Sequence, residues 1–161
     1  MRKFILSLMF ILLALPAWAA VTANSVITAQ TPNRGVVQFL QGTDVAGTYK
    51  TLYTGAANGS KIYGAYLTTS DATATHLVTC QVVNSTIKYG GTAVTTTLGA
   101  GFATGIPAIN LLSSTTFPGL AIDSDGNPFI FLASGDTFAC TFATALTAAT
   151  VINIVTNASD F

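Results

Sequence analysis

The chain has 161 residues, with six Lys and Arg balanced by six Asp and Glu, and only 7% of its residues are charged. So little charge excludes the basic stripes that grip nucleic acid or anionic membrane surfaces, and it argues against soluble helices, which show a charged outer face. The composition is rich in Thr, Ala, Gly, Val and Ile, with no glutamate outside or inside any motif, and β-branched residues suit a pleated sheet.

The first element in chain order is a leader. Arg2 and Lys3 precede an apolar run from Phe4 to Leu15, Pro16 ends the run, and Ala17-Trp18-Ala19 offers the small-x-small pattern of a signal-peptidase site. Residues 1–19 are therefore expected to be a cleaved signal peptide and the protein to be exported, periplasmic or extracellular. Its departure would leave Arg34, Lys50, Lys61 and Lys88 against six aspartates, a net charge near −2, and no tryptophan. No later segment is apolar and long enough for a membrane-spanning helix. Membrane insertion as a barrel is not expected either, because the residues alternating back from Phe161 (Ser159, Asn157, Val155, Asn153) are mostly polar.

Residues 20–35 are polar and irregular and are expected to form a flexible arm, with residues 36–161 as one domain. Candidate strands then follow at Val36–Gln41, Tyr49–Thr54, Lys61–Thr69, His76–Val83, Thr86–Tyr89 and Ala93–Leu98. Asn58-Gly59 marks a tight turn between the second and third, and Gly90-Gly91 another. Residues 99–118, punctuated by Gly99, Gly101, Gly105, Pro107 and Pro118, read as a long crossing loop with short extended pieces. Strand character returns at Gly119–Ile122, Phe129–Leu132, Thr137–Thr144 and Thr150–Thr156. About eight to ten short strands, no defensible helix and no fixed repeat predict an all-β fold: an antiparallel two-sheet β-sandwich, jelly-roll-like.

Cys80 shares a strand face with Val78 and Val82, and Cys140 shares one with Phe138 and Phe142, so alternation aims both sulfurs inward. In an exported protein a disulfide between them is expected, closing a loop of about 60 residues for roughly 4 kcal/mol of stabilisation in the loop-entropy account. The alternative is a pair of buried thiols packing as small apolar residues. No metal site is expected, since no second pair of ligands lies nearby.

No catalytic constellation is legible, and the chain is expected not to be an enzyme and to need no cofactor. His76 is the single histidine and reads as a surface residue at a strand end; there is no G-x-S-x-G elbow, and the aspartates sit in turn-like contexts. Asp123-Ser124-Asp125-Gly126-Asn127 superficially matches a calcium loop, but Gly126 precedes Asn127 and Ser134 supplies no carboxylate at the twelfth position, so a hairpin turn is expected. Tyr49 and Tyr53 fall on one face of their strand and are the candidate ligand-stacking residues, whereas Tyr63 and Tyr66 fall on opposite faces of theirs.

Two stretches, LYTGAANGSKIYGAYLTTSDATATH (52–76) and FPGLAIDSDGNPFIFLASGDTFACTFATALTAATVINIVTNASDF (117–161), carry a resemblance. They resemble a loosely defined group of small β-sandwich proteins from the structural regions of tailed phages and prophages. That group shows a "YTAGANGS" hairpin, a crossing that ends in "PGL", a "DNDGNPY" turn and a "GGDF"-like tail. The likeness spans about half of the chain beyond the leader, and its motifs are mostly turns. It implies a capsid-associated, decoration-like role without catalysis, and it carries no site residue across. This chain departs from the group in its leader and its cysteine pair. The leading expectation is thus an exported structural protein packing with itself or on a protein lattice; the alternative is a secreted binding module for a glycan or another envelope component.

Overall fold

The computed structural model describes residues 31–161 apart from residues 92, 103–104 and 118–119. The expected leader and residues 20–30 of the expected arm lie outside the described residues. Eleven strands are found among the described residues: β1 (Thr31–Leu40), β2 (Lys50–Thr54), β3 (Ser60–Thr69), β4 (Leu77–Asn84), β5 (Ile87–Tyr89), β6 (Ala93–Thr95), β7 (Ile109–Asn110), β8 (Ala121–Ile122), β9 (Pro128–Leu132), β10 (Thr137–Phe142) and β11 (Val151–Asp160). They form two antiparallel sheets arranged as a sandwich, consistent with jelly-roll-type topology. One sheet, called A, runs β1-β11-β3-β9-β8 with β7 also on β3; the other, B, runs β2-β10-β4-β5 with β6 also on β4.

Most expected strands lie within a residue or two of those observed, and the differences have physical causes. β1 starts at Thr31 rather than Val36, so residues 31–35 of the expected flexible arm belong to the sheet. Thr31 to Arg34 are exposed and carry no apolar alternation; backbone pairing with β11, from Thr31 opposite Asp160 onward, holds them. β11 likewise runs past Thr156 to Asp160, because it is paired on both sides, by β1 and β3. β7 is a two-residue strand inside the Gly/Pro-rich crossing, made by Tyr66 and Leu67 of β3 pairing Asn110 and Ile109.

The inner faces supply the core. Phe39, Ile62, Leu67, Leu132, Ile152 and Ile154 from sheet A meet Val78, Val82, Phe138 and Phe142 from sheet B, all but inaccessible to solvent. Phe39 and Phe142 pack edge to face, ring centroids 5.1 Å apart, tying the two sheets directly. Cys80 and Cys140 are opposite one another in the β4–β10 register, Cα atoms 4.1 Å apart, and they form the expected disulfide. Both are buried, so the bond lies on the inner face of sheet B.

The two long sides of the sandwich differ. Where β1 meets β2 the sheets close tightly: a Cβ on Gly35 would stand 2.1 Å from the Leu52 carbonyl oxygen, so only glycine fits. Lys50 seals that seam, donating to the Gln38 carbonyl at 2.9 Å, pairing with Asp44 at 2.6 Å and covering the Phe39 ring. On the opposite side, β5 and β8 leave an apolar cleft of about 280 Å³, lined by Val82, Tyr89, Phe117, Ile130 and Phe131 among others.

Candidate functional site

Two β-bulges decide which tyrosines reach solvent. In β2, Tyr53 pairs Phe138 while Thr51 pairs Ala139, so Leu52 is an extra residue with no partner of its own on β10. A bulge shifts the two-residue alternation by one step. Leu52 and Tyr53 are consequently both buried, 6% exposed each, while Tyr49 is 37% exposed. The expectation that Tyr49 and Tyr53 share one face does not hold: Tyr53 turns into the sandwich, and its hydroxyl donates to Asp160 at 2.7 Å. Burial and that carboxylate push the Tyr53 phenol up to about 12. Tyr49 stays outside, 5.7 Å beneath the Lys88 ammonium, so these two side chains do not form one stacking platform.

The second bulge acts in the opposite sense. In β3, Ile62 pairs Ala158 and Gly64 pairs Asn157, leaving Tyr63 as the extra residue. Ile62 points inward before the bulge, and Ala65, Leu67 and Thr69 point inward after it. Tyr63 and Tyr66, expected on opposite faces, are therefore both outside, 47% and 41% exposed. Gly64 makes room between them: a Cβ there would stand 3.1 Å from Cε2 of Tyr66.

Both tyrosines line a groove of about 540 Å³ on the outer face of sheet A, together with Lys61, Asn110, Asp123, Asn127 and Ser159. Tyr63 also lines a neighbouring hollow of about 350 Å³ with Asn33, Arg34 and Asn157. The groove floor is set by the β8–β9 hairpin. Asp123 accepts the backbone N–H groups of Asp125 and Asn127 and the Lys61 ammonium at 3.0 Å. The Asn127 N–H, the Lys61 ammonium and the Asp125 N–H together hold the Asp123 carboxyl below the ordinary carboxylate range despite some desolvation. This is the hairpin turn that the Asp123–Asn127 spacing suggests, and no group of three metal-ligating side chains occurs among the described residues. The Lys61 ammonium also lies 4.5 Å over the Phe129 ring, which fixes it at the groove edge.

Beyond the groove, the outer face of sheet A continues across β11 and β1. Val36, Val155, Tyr66 and Asn110 stand in one row across four strands, and Gln38 donates to Asn153 in the row below at 2.8 Å. Val36 is 61% exposed. Arg34 and Lys61 are the charged residues of this face on β1, β11 and β3, short of Asp160 at the strand end.

His76 is not the surface residue that its strand-end position suggests; it is 1% exposed. Asp71, wholly buried, explains it. One Asp71 oxygen accepts the N–H groups of Thr73 and Ala74, and the other accepts His76 Nε2 at 2.8 Å and the Thr147 hydroxyl. The His76 N–H in turn donates to the Thr96 hydroxyl at 2.7 Å, and the His76 carbonyl accepts the Thr96 N–H at 2.8 Å. Burial alone would raise the Asp71 carboxyl, but the hydrogen bonds from Thr147, His76, Thr73 and Ala74 outweigh it and hold the group far below its ordinary range. Nδ1 of His76, the atom that could accept a nucleophile's proton, is buried without a hydrogen-bond partner. The pair clamps the β3–β4 connection to the segments around Thr96 and Thr147. Sequence reading missed it because a buried His–Asp pair five residues apart looks like an ordinary polar turn; the Asp71-x-Thr73 turn chemistry is the one local signal.

No protein family, curated protein or solved structure matches this chain.

Proposed function

We propose that this protein is a non-enzymatic, exported structural β-sandwich that works by packing the β1–β11 part of sheet A's outer face against further copies of itself. The observation that carries the reading is the row of Val36, Val155 and Tyr66, an apolar strip on a face with little charge to oppose close approach. The Cys80–Cys140 disulfide supports export, because such bonds persist in oxidising compartments. The sandwich and its hairpin turns fit the resemblance to phage structural proteins, which implies a capsid-associated role without catalysis.

The test is the molar mass of the oxidised protein by size-exclusion chromatography with light scattering, over a wide concentration range, beside Val36→Asp. The reading expects concentration-dependent oligomers or filaments that the added carboxylate abolishes. A monomer at every concentration, or assembly indifferent to Val36→Asp, overturns it.

A further inference from the structure

From the groove above β3 we infer a second activity besides assembly, on a surface that shares Tyr66 with the assembly strip: binding of a neutral oligosaccharide on Tyr63 and Tyr66. Ligand sites combine a concave apolar surface with a few fixed polar groups that set orientation. The groove meets both conditions. Its apolar part is two tyrosine rings that bulge and glycine geometry turn outward together, and a phenol ring offers a flat apolar face with a polar tip. Its polar part mixes amides and hydroxyls (Asn110, Asn127, Ser159) with the paired Lys61 and Asp123. Pyranose rings present the matching chemistry, an apolar C–H face edged by hydroxyls that both donate and accept.

Charge selects the class of sugar. Lys61 is already paired with Asp123, so the groove has no net charge with which to favour an anionic chain. The extent of the site fits a polymer better than a single ring, since Tyr63 lines both the groove and the hollow of Asn33, Arg34 and Asn157; Arg34 borders the hollow and not the groove, whose own charges stay paired. An extended glycan crossing β3 would touch both.

The experiment is isothermal titration of the oxidised protein with hexasaccharides of β-1,4-glucose, β-1,3-glucose, α-1,4-glucose and N-acetylglucosamine, with hexagalacturonate as the anionic comparison. Wild type is compared with Tyr63→Ala, Tyr66→Ala, Val36→Asp and Tyr49→Ala, each checked for a native melting curve. We expect at least one neutral hexasaccharide to bind in preference to hexagalacturonate. Affinity should fall about tenfold in Tyr63→Ala and in Tyr66→Ala, the loss of one aromatic face. Tyr49→Ala should bind as wild type does, and Val36→Asp at least as tightly, because without assembly no second copy covers Tyr66; sugar binding by Val36→Asp separates this inference from assembly. Two variants at the site keep the test decisive if one of them misfolds. Absence of binding across the neutral panel at millimolar sugar, equal or better binding of hexagalacturonate, or binding unaffected by either tyrosine variant overturns the inference.

Discussion

The two bulges make opposite use of one device. In β2 the extra residue, Leu52, lies against the tight β1–β2 seam, with its carbonyl in the space that a Cβ on Gly35 would need. Its effect is to draw Tyr53 inside, where the hydroxyl joins Ser60 and Asn33 on Asp160. In β3 the extra residue, Tyr63, faces solvent, and its effect is to bring Tyr66 out beside it. A bulge therefore has no fixed meaning for exposure. The packing around it decides: against a closed seam it locks a side chain into the core, and on an open sheet face it builds a surface.

If that contrast is right, the four tyrosine positions differ sharply in energetic role. Tyr53→Ala should be the most damaging change, costing about 3–5 kcal/mol because it opens a cavity in the sandwich and strips Asp160 of a donor; a urea midpoint close to wild type would break the comparison. Next comes the Cys80→Ser/Cys140→Ser pair, which removes the covalent tie between β4 and β10, the strand against which the β2 bulge forms. It should lower stability by about 2–5 kcal/mol, with reduction of the wild type giving the same shift.

Asp71→Asn tests the anchor beyond the β3 bulge, since the Asp71 N–H reaches Thr69 at the end of that strand. Losing charge-assisted hydrogen bonds should cost about 2–3 kcal/mol at neutral pH. The sign with pH follows from the lowered Asp71 carboxyl: its contribution is present above the unfolded value of about 4 and is lost as pH falls toward the folded one. Wild type should thus lose stability on acidification and Asp71→Asn should lose less, as acid titrations of unfolding would show. Asp160, lowered by its hydrogen bond from Ser60 against the opposing effect of burial, and further by those from Tyr53 and Asn33, adds to the same acid sensitivity. Tyr53→Phe keeps the ring and removes one of those donors, at about 1 kcal/mol. Tyr63→Ala is the smallest, within about 0.5 kcal/mol of wild type, because an exposed side chain leaves no cavity.

Much of the fold was legible in the chain before any coordinates. Alternation through Val78, Cys80 and Val82, and through Phe138, Cys140 and Phe142, placed two strands, their buried faces and the disulfide. Asn58-Gly59 and Asp123–Asn127 marked turns whose backbone requirements are local. The strand ends were less visible, because Thr31–Arg34 and Asn157–Asp160 are in the sheet through backbone pairing with partners more than a hundred residues away. The site was the least legible part. Alternation assigns Tyr49 with Tyr53 and separates Tyr63 from Tyr66, and both assignments fail at a single extra residue. A bulge depends on the neighbouring strand's register, which no local pattern in β2 or β3 contains. His76 was misplaced for a related reason: a buried imidazole needs a hydrogen-bond partner inside, and only the folded chain brings the buried Asp71 carboxylate to it.

The central claim is that the outer face of sheet A, on which the β3 bulge places Tyr66, is the surface through which the protein works. Tyrosine nitration with mass-spectrometric mapping, at low and at high protein concentration, tests it most directly. The account predicts that in dilute protein Tyr63 and Tyr66 react while Tyr53 is protected. On concentration Tyr66 should become protected while Tyr49 and Tyr89, exposed on the other side of the sandwich, stay reactive. Reactivity of Tyr66 that concentration leaves unchanged, or protection that falls on Tyr49 and Tyr89 instead, would contradict the claim.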